Sequence, residues 1–384
     1  MANVRVASYN VENLFARPNA FDSSDPGAGE PILAAYHEFN KLIATSVYED
    51  TDRKRMRDLL LELDVYTRNN HGAVRRKRTT SPKWAWLRKN RGSFDREPRD
   101  PTKDVEIIAT KRGDWIGWVE LATEAVNEVG TRTTARVITE IGADVIAIIE
   151  AENRPSMVRL NRELLGNRYE HVMLVDGNDE RGIDVGIMTK KGFEIETIRS
   201  NVDLKDRTGP VFSRDCAQYA IRTPSGELVH VLVNHFKSQS GGGATKRKRQ
   251  AKEVRRIAGE LVAAGQHVIV LGDLNEGQPS LTRAPTSLKT LFDPNGPLVS
   301  CYDLPDFKIG NKPGTFDACA IGDRLDYLLV SHSLQPKYKS GELFRKGLWG
   351  SRKTRPTEWE TFAEMENGNQ QASDHAAVVV NFDL

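Results

Sequence analysis

Apolar residues along the chain fall into short unbroken runs separated by stretches of helical spacing. Arg5–Tyr9 reads as a first strand, and the run from Asp144 through Ile149 stops abruptly at Glu150. Continuous apolar runs of this length mark strands buried on both faces. Further strands are predicted at Glu170–Val175, Asp184–Thr189, Phe193–Ile198, Ala217–Arg222, Leu228–Asn234 and His267–Leu271, with strand-like runs again at Arg324–Val330 and Ser373–Val380. Helical spacing predicts one long amphipathic helix from Trp115 through Ile141 and another over Thr245–Ala264.

The same phrase thus occurs twice: an amphipathic helix, a buried strand, then a carboxylate at the strand's end, Glu150 and Asp273. Buried strands separated by helices require sheets covered by helices, and neighbouring strands without a helix between them require antiparallel pairing. Two such halves packed sheet against sheet give an α/β fold, a four-layer sandwich of two mixed sheets flanked by helices. The reading is one domain over residues 1–384, carrying an insertion at about 16–112 with helices near Ile32–Thr45 and Lys54–Val65.

Composition narrows the class. Across 384 residues Lys plus Arg number 55 and Asp plus Glu 53, and the 28% charged and 39% hydrophobic fractions are those of a soluble globular protein. No stretch approaches the roughly 18 apolar residues of a membrane span, and Met1–Tyr9 has no apolar segment behind a basic start, so a cytoplasmic protein without membrane contact is expected. Cys216, Cys301 and Cys319 are odd in number and far apart, which supports neither a disulfide framework nor a thiolate zinc site. The charge is uneven: residues 68–112 hold 14 basic residues against 5 acidic ones. There Arg75, Arg76, Lys77 and Arg78 precede Trp84 and Trp86, a pairing of cations and aromatics that suits a polyanion with stacking bases as well as it suits a solvated loop.

Five polar clusters close apolar runs: Asn10 with Glu12, Glu150, Asp273 with Asn275, Asp326, and Asp374 with His375. Carboxylates gathered at one rim of a sheet repel one another and are costly to desolvate, so they need protons, basic partners or a cation. Oxygen ligands without thiolates favour Mg²⁺, with Mn²⁺ also suited, over zinc. The cations Lys246, Arg247, Lys248, Arg249, Lys252, Arg255 and Arg256 flank the apolar stripe of their helix and are mostly its solvated face, and Gly241–Gly243 is a connection ahead of it.

Ser8-Tyr-Asn-Val-Glu-Asn-Leu-Phe15, Ile148-Ile-Glu-Ala-Glu-Asn153, Arg181-Gly-Ile-Asp-Val-Gly186, Val233-Asn-His-Phe-Lys-Ser238, Leu271-Gly-Asp-Leu-Asn275, Arg324-Leu-Asp-Tyr327 and Ser373-Asp-His375 resemble the ordered motifs of the endonuclease/exonuclease/phosphatase family. Deoxyribonuclease I and the exonuclease III type of abasic-site endonuclease belong to it. The resemblance implies the deoxyribonuclease I-like four-layer sandwich and metal-assisted cleavage of a phosphoester. It implies Glu150 as the principal Mg²⁺ ligand with Asn10 and Glu12 beside it, and Asp374 as a ligand or an orienting neighbour. Asp273 would orient or deprotonate the attacking water and Asn275 would hold a phosphate oxygen. Asp326 would orient His375, which acts as a general base or, protonated, clamps the phosphate. His235 falls where deoxyribonuclease-like members protonate the leaving oxygen, and Arg181 and Arg214, with Lys237 more weakly, resemble phosphate-facing cations. The leading expectation is a Mg²⁺-dependent phosphodiesterase of nucleic acid, above all a DNA endonuclease. A phosphatase or phosphodiesterase of small molecules or lipid head groups and a non-catalytic nucleic-acid-binding protein are its rivals. No protein partner is read from the sequence.

Overall fold

The computed structural model describes residues 3–14, 26–79, 82–122, 129–179, 182–239, 243–277, 286–350 and 358–384. The chain forms two compact units, one of Met1–Phe15 with Asn127–Leu384 and one of Ala16–Val126.

The larger unit is built on two sheets. The first runs, in spatial order, Phe307–Lys308, Tyr338–Phe344, Ala377–Asp383, Asn3–Leu14, Val145–Ala151, Asp184–Thr189, His171–Val175. The second runs Glu194–Arg199, Cys216–Arg222, Leu228–His235, His267–Asp273, Asp326–Ser331, Leu298–Ser300. Each has one parallel pair of long strands at its centre, Asn3–Leu14 beside Val145–Ala151 and Leu228–His235 beside His267–Asp273, with antiparallel partners around it except for the short edge strand Phe307–Lys308, which runs parallel to Tyr338–Phe344. One core cluster joins the facing sides of both sheets, with Val4, Val6, Val145 and Ile149 from one and Val231, Val233, Ile269 and Leu271 from the other. The far side of the first sheet packs Ile146 and Ile148 against Val137, Ile138 and Ile141 of helix Val129–Ile141 and Met157 and Leu160 of helix Arg154–Glu163. Ala251, Val254, Ile257 and Ala258 of helix Ala244–Ala263 cover the second sheet. The expected four layers are therefore present, and central strands such as Val145–Ala151 and His267–Asp273 are apolar on both faces because both faces are covered, whereas the edge strand Glu194–Arg199 is polar and exposed.

One predicted element is corrected. Trp115–Leu121 is a strand, not the start of a helix, and the helix described beyond it is Val129–Ile141. The reason is local: Trp115, Gly117 and Val119 are buried while Ile116, Trp118 and Glu120 face out, a period of two in aromatic and β-branched residues.

The unit Ala16–Val126 contains the insertion and has its own core, in which Phe39, Met56, Leu59 and Leu60 of helices Pro26–Ile43 and Asp50–Glu62 meet Phe94, Trp115 and Val119. A buried carboxylate, Asp95, organises it: Tyr66 Oη, Arg76 Nε and Lys89 Nζ each donate to it at 2.7 Å. Among the described residues no helix is long and apolar enough to cross a membrane.

In the second sheet, Gly272 brings its strand against Leu228–His235 in a conformation open only to glycine. Its φ is +129°, and a Cβ there would stand 1.9 Å from the Asn234 carbonyl oxygen. Gly272→Ala should therefore cost about 3 kcal/mol or more, read as a lowered denaturation midpoint with an unchanged slope; a loss below about 1 kcal/mol would show that the two strands can part freely.

Candidate active site

The inner faces of both sheets change from apolar to polar at one rim. On the first strand the inward series Val4, Val6 and Ser8 ends at Asn10. On the second sheet, Val231, Ile269 and Val330 lie side by side in register, then Val233, Leu271 and Leu328, then His235, Asp273 and Asp326. A row of three ionisable side chains thus closes the apolar layer. Strict alternation would point Glu150 the other way, with Ile146 and Ile148. A bulge opposite Asp184 and Val185, with φ +68° at Glu150, re-aims it toward the rim. Glu12 at φ +49° and Asn275 at φ +56° share this left-handed conformation, so three site residues are held in backbone strain that the surrounding pairing must impose.

Asn10 links the two sheets across the rim, its Nδ2 donating to Glu150 Oε1 at 3.2 Å and to Asp273 Oδ2 at 3.3 Å, while its Oδ1 accepts from the Glu12 amide at 3.0 Å. His235 Nε2 lies 3.5 Å from Glu150 Oε1 and 3.6 Å from Asp273 Oδ2. Asn275 turns back on Asp273, donating from its amide at 2.8 Å and from Nδ2 at 3.0 Å. On the other flank His375 Nδ1 is 2.7 Å from Asp326 Oδ2. The Ser373-Asp-His375 turn is tied to the first strand by Ser373 Oγ, which donates to the Asn10 carbonyl at 2.7 Å, and by the Asp374 amide, which donates to Glu12 Oε2 at 2.8 Å. The sequence-predicted residues Asn10, Glu12, Glu150, His235, Asp273, Asn275, Asp326, Asp374 and His375 therefore come together.

Glu12, Glu150, Arg214, His235, Asp273 and His375 are among the lining of a cleft of about 500 Å³. Arg214 is buried, its Nε 3.0 Å from Asp179 Oδ2 and its Nη1 donating to the Phe236 carbonyl at 3.1 Å. Arg181 lies outside the described residues. Ser238, Gln239, Phe316 and Asp323 also line the cleft and were not singled out from sequence. They sit on loops or, for Asp323, in the short 3-10 turn Ile321–Asp323, where no periodicity marks them. Phe316 is legible only through the fold, its ring 4.9 Å from that of His375.

The basic segment is placed in the other unit, with most of its charge used internally. Arg75 donates to the carbonyls of Pro98 and Asp100, Arg76 to Asp95, and Lys77 to Asp64. Arg78 is the member whose side chain stands in solvent, 91% exposed. Trp84 and Trp86 are half-buried, with Lys83 Nζ 4.3 Å and Arg88 Cζ 4.7 Å from their ring centres. Trp118, 44% exposed across from Arg88, was hidden by the helical reading of its segment.

Burial concentrates negative charge at the rim. Burial first, and then Asp326, push the Asp273 carboxyl upward. Glu12 keeps an exposed edge, yet desolvation and the neighbouring Asp374 push it up to about 7. For His375 burial acts downward, but Asp326 and the other carboxylates outweigh it and raise the imidazole to about 10. The Asp326–His375 pair is therefore neutralised from within. Glu150 and Asp273 have the His235 imidazole nearby but no Lys or Arg ion pair among the described residues, and the ligand atoms of the three lie within 4.8 Å of one another. The oxygens gathered at this rim, Glu150 with Asn10, Glu12 and Asp374 beside it, suit a hard divalent cation. The donor set fits one.

The raised carboxyls hold protons in the folded protein that the unfolded chain has already lost, so the metal-free protein loses stability as pH rises from the ordinary carboxyl value through about 7. Asp273→Asn removes one such group. In chelator, its thermal midpoint relative to wild type should climb steadily over that window, and a constant or shrinking difference would contradict the charge crowding.

The profile of the endonuclease/exonuclease/phosphatase family matches residues 93–295, just over half the chain. Among solved structures, a protein of that family from Bacteroides thetaiotaomicron is similar with a TM-score of 0.52 at 16% identity, over 100% of this chain and 99% of that one. One from Bacteroides vulgatus gives 0.49 at 16%, over 67% and 90%. A Bacteroides thetaiotaomicron mannosyl-6-phosphatase gives 0.49 at 18%, over 66% and 90%. No curated protein matches the sequence. With the four-layer fold, the polar rim and the family profile in agreement, the chain belongs to the endonuclease/exonuclease/phosphatase family of metal-dependent phosphoesterases.

Proposed function

We propose that this protein is a Mg²⁺-dependent phosphodiesterase of nucleic acid, with DNA as its first substrate. The observation that carries the reading is His235. It is buried at one side of Asp273 while the Asp326–His375 pair stands at the other, so two imidazoles flank one carboxylate. Hydrolysis of a diester with an unactivated alcohol needs a proton taken from water on one side of phosphorus and one delivered to the leaving oxygen on the other. Asp273, its carboxyl already pushed upward, takes the proton of the attacking water. His235 donates to the leaving oxygen. His375, cationic through the neutral range, clamps a phosphoryl oxygen together with Arg214, and Asn275 holds Asp273 in place. Glu150, with Asn10, Glu12 and Asp374 beside it, would hold Mg²⁺ or Mn²⁺, which polarises the phosphoryl oxygens and offsets charge on the leaving group.

Nucleic acid is favoured by the unit Ala16–Val126. Arg78, Trp84, Trp86 and Trp118 give it partly exposed aromatics beside cations, the chemistry that stacks unpaired bases and follows a phosphate backbone. Three buried, unpaired cysteines support a reducing, cytoplasmic setting.

The test is to compare plasmid, single-stranded DNA, RNA, phosphoinositides and bis-nitrophenyl phosphate in Mg²⁺, with wild type and His235→Ala. Nucleic acid should be cut by the wild type, His235→Ala should lose about 10²-fold or more on it, and the activated nitrophenyl ester should be largely spared. Cleavage of phosphomonoesters alone, or equal loss on both leaving groups, would overturn the reading.

A further inference from the structure

Arg247 stands in the first turns of helix Ala244–Ala263, in a basic run that reads as a solvated face, yet it is only 5% exposed. Its Nε donates to Glu276 Oε2 at 2.6 Å, and its Nη1 donates to the carbonyls of Lys237 at 3.1 Å and Ser238 at 3.0 Å. Glu276 in turn accepts from the Ser287 amide at 2.5 Å and from Ser287 Oγ at 2.6 Å. Gln250, fully buried one turn along the helix, accepts from the Lys237 amide at 3.0 Å. Gly243 leaves the space this needs, since a Cβ there would stand 2.9 Å from Arg247 Nη1.

One guanidinium therefore grips two loops at once, the one that follows His235 and the one that follows Asn275. Neither Arg247 nor Glu276 is among the residues that line the cleft. A buried ion pair is a weak source of net stability, because desolvation of both charges offsets their attraction. Its fork geometry is, however, well suited to fixing backbone carbonyls in one arrangement.

We propose that Arg247 and Glu276 are positioning residues, which hold the His235 loop and the Asn275 loop in register so that the His235 imidazole stays aimed at the leaving oxygen. The inference rests on the proton-donor reading of His235 given above. A displacement of about 1 Å at such a group costs on the order of 10²-fold in rate.

Arg247→Lys keeps the charge and removes the fork, and Glu276→Gln keeps the shape and removes the charge. Each should lower kcat on DNA about tenfold or more with KM within about twofold, while hydrolysis of bis-nitrophenyl phosphate falls less than about threefold. In protein carrying ¹⁵N-labelled histidine, the His235 resonance, assigned by its loss in His235→Ala, should move and that of His375 should not. Equal losses on both substrates with the His235 resonance unmoved would overturn the proposal and leave a purely structural pair. Should His235→Ala itself show no leaving-group dependence, the proton-donor reading fails separately, and the His235 resonance alone then decides: movement sustains the positioning role, and its absence removes it.

Discussion

Like charge buried between two sheets is the constraint on which this molecule depends. Asp273 and Asp326 sit next to each other on paired strands with almost no solvent, and Glu150 reaches the same rim from the other sheet. Fully burying one aliphatic side chain is worth roughly 1.5–3 kcal/mol. Holding an uncompensated carboxylate in the same interior costs several kcal/mol. The apolar interlayer can carry such a rim only if each charge is met, by a donor, a proton, an imidazolium or a cation. The structure meets them unequally: His375 answers Asp326, Asn10 shares its amide between Glu150 and Asp273, and among the described residues no Lys or Arg pairs with either of those two, which have the His235 imidazole beside them.

Backbone geometry makes that rim possible. Regular strands would send Glu150 into the helix-covered layer, and the bulge that turns it costs pairing and a left-handed φ. Gly272 lets its strand approach Asn234 closely enough to set His235 beside Asp273. The Ser373 hydroxyl and the Asp374 amide then pin the last turn against the first strand, so residues far apart in sequence meet in one cleft. Strain of this kind survives because the pairing on either side over-determines it.

Much of this was legible in the chain itself, for a physical reason. A strand buried on both faces must be apolar throughout, so a polar residue that ends such a run, as Glu150 and Asp273 do, stands out. Loops and short turns carry no such signal, which is why Phe316, Asp323, Ser238 and Gln239 emerged only with the fold. Trp115–Leu121 was misread because its two-residue alternation was merged with the real helix beyond it. Arg247 is the exception among cations read as mostly solvated: a helix-face argument counts the apolar stripe and cannot say which cation beside it a loop carbonyl draws inward. In the basic segment, Arg76 pairs with Asp95, which the local charge count included but could not place, and Lys77 with Asp64, which lies outside the counted stretch.

If the rim is short of positive charge, a divalent cation should bind there and displace the protons that the crowded carboxyls retain. Calorimetric titration of the chelator-stripped protein with Mg²⁺ and with Mn²⁺, in buffers of different ionisation enthalpy near pH 6.5, measures both the binding and the protons released. The account predicts one saturable site, net proton release, and loss of both signals in Glu150→Gln that remains folded. Binding without proton release, or undiminished in Glu150→Gln, would contradict it.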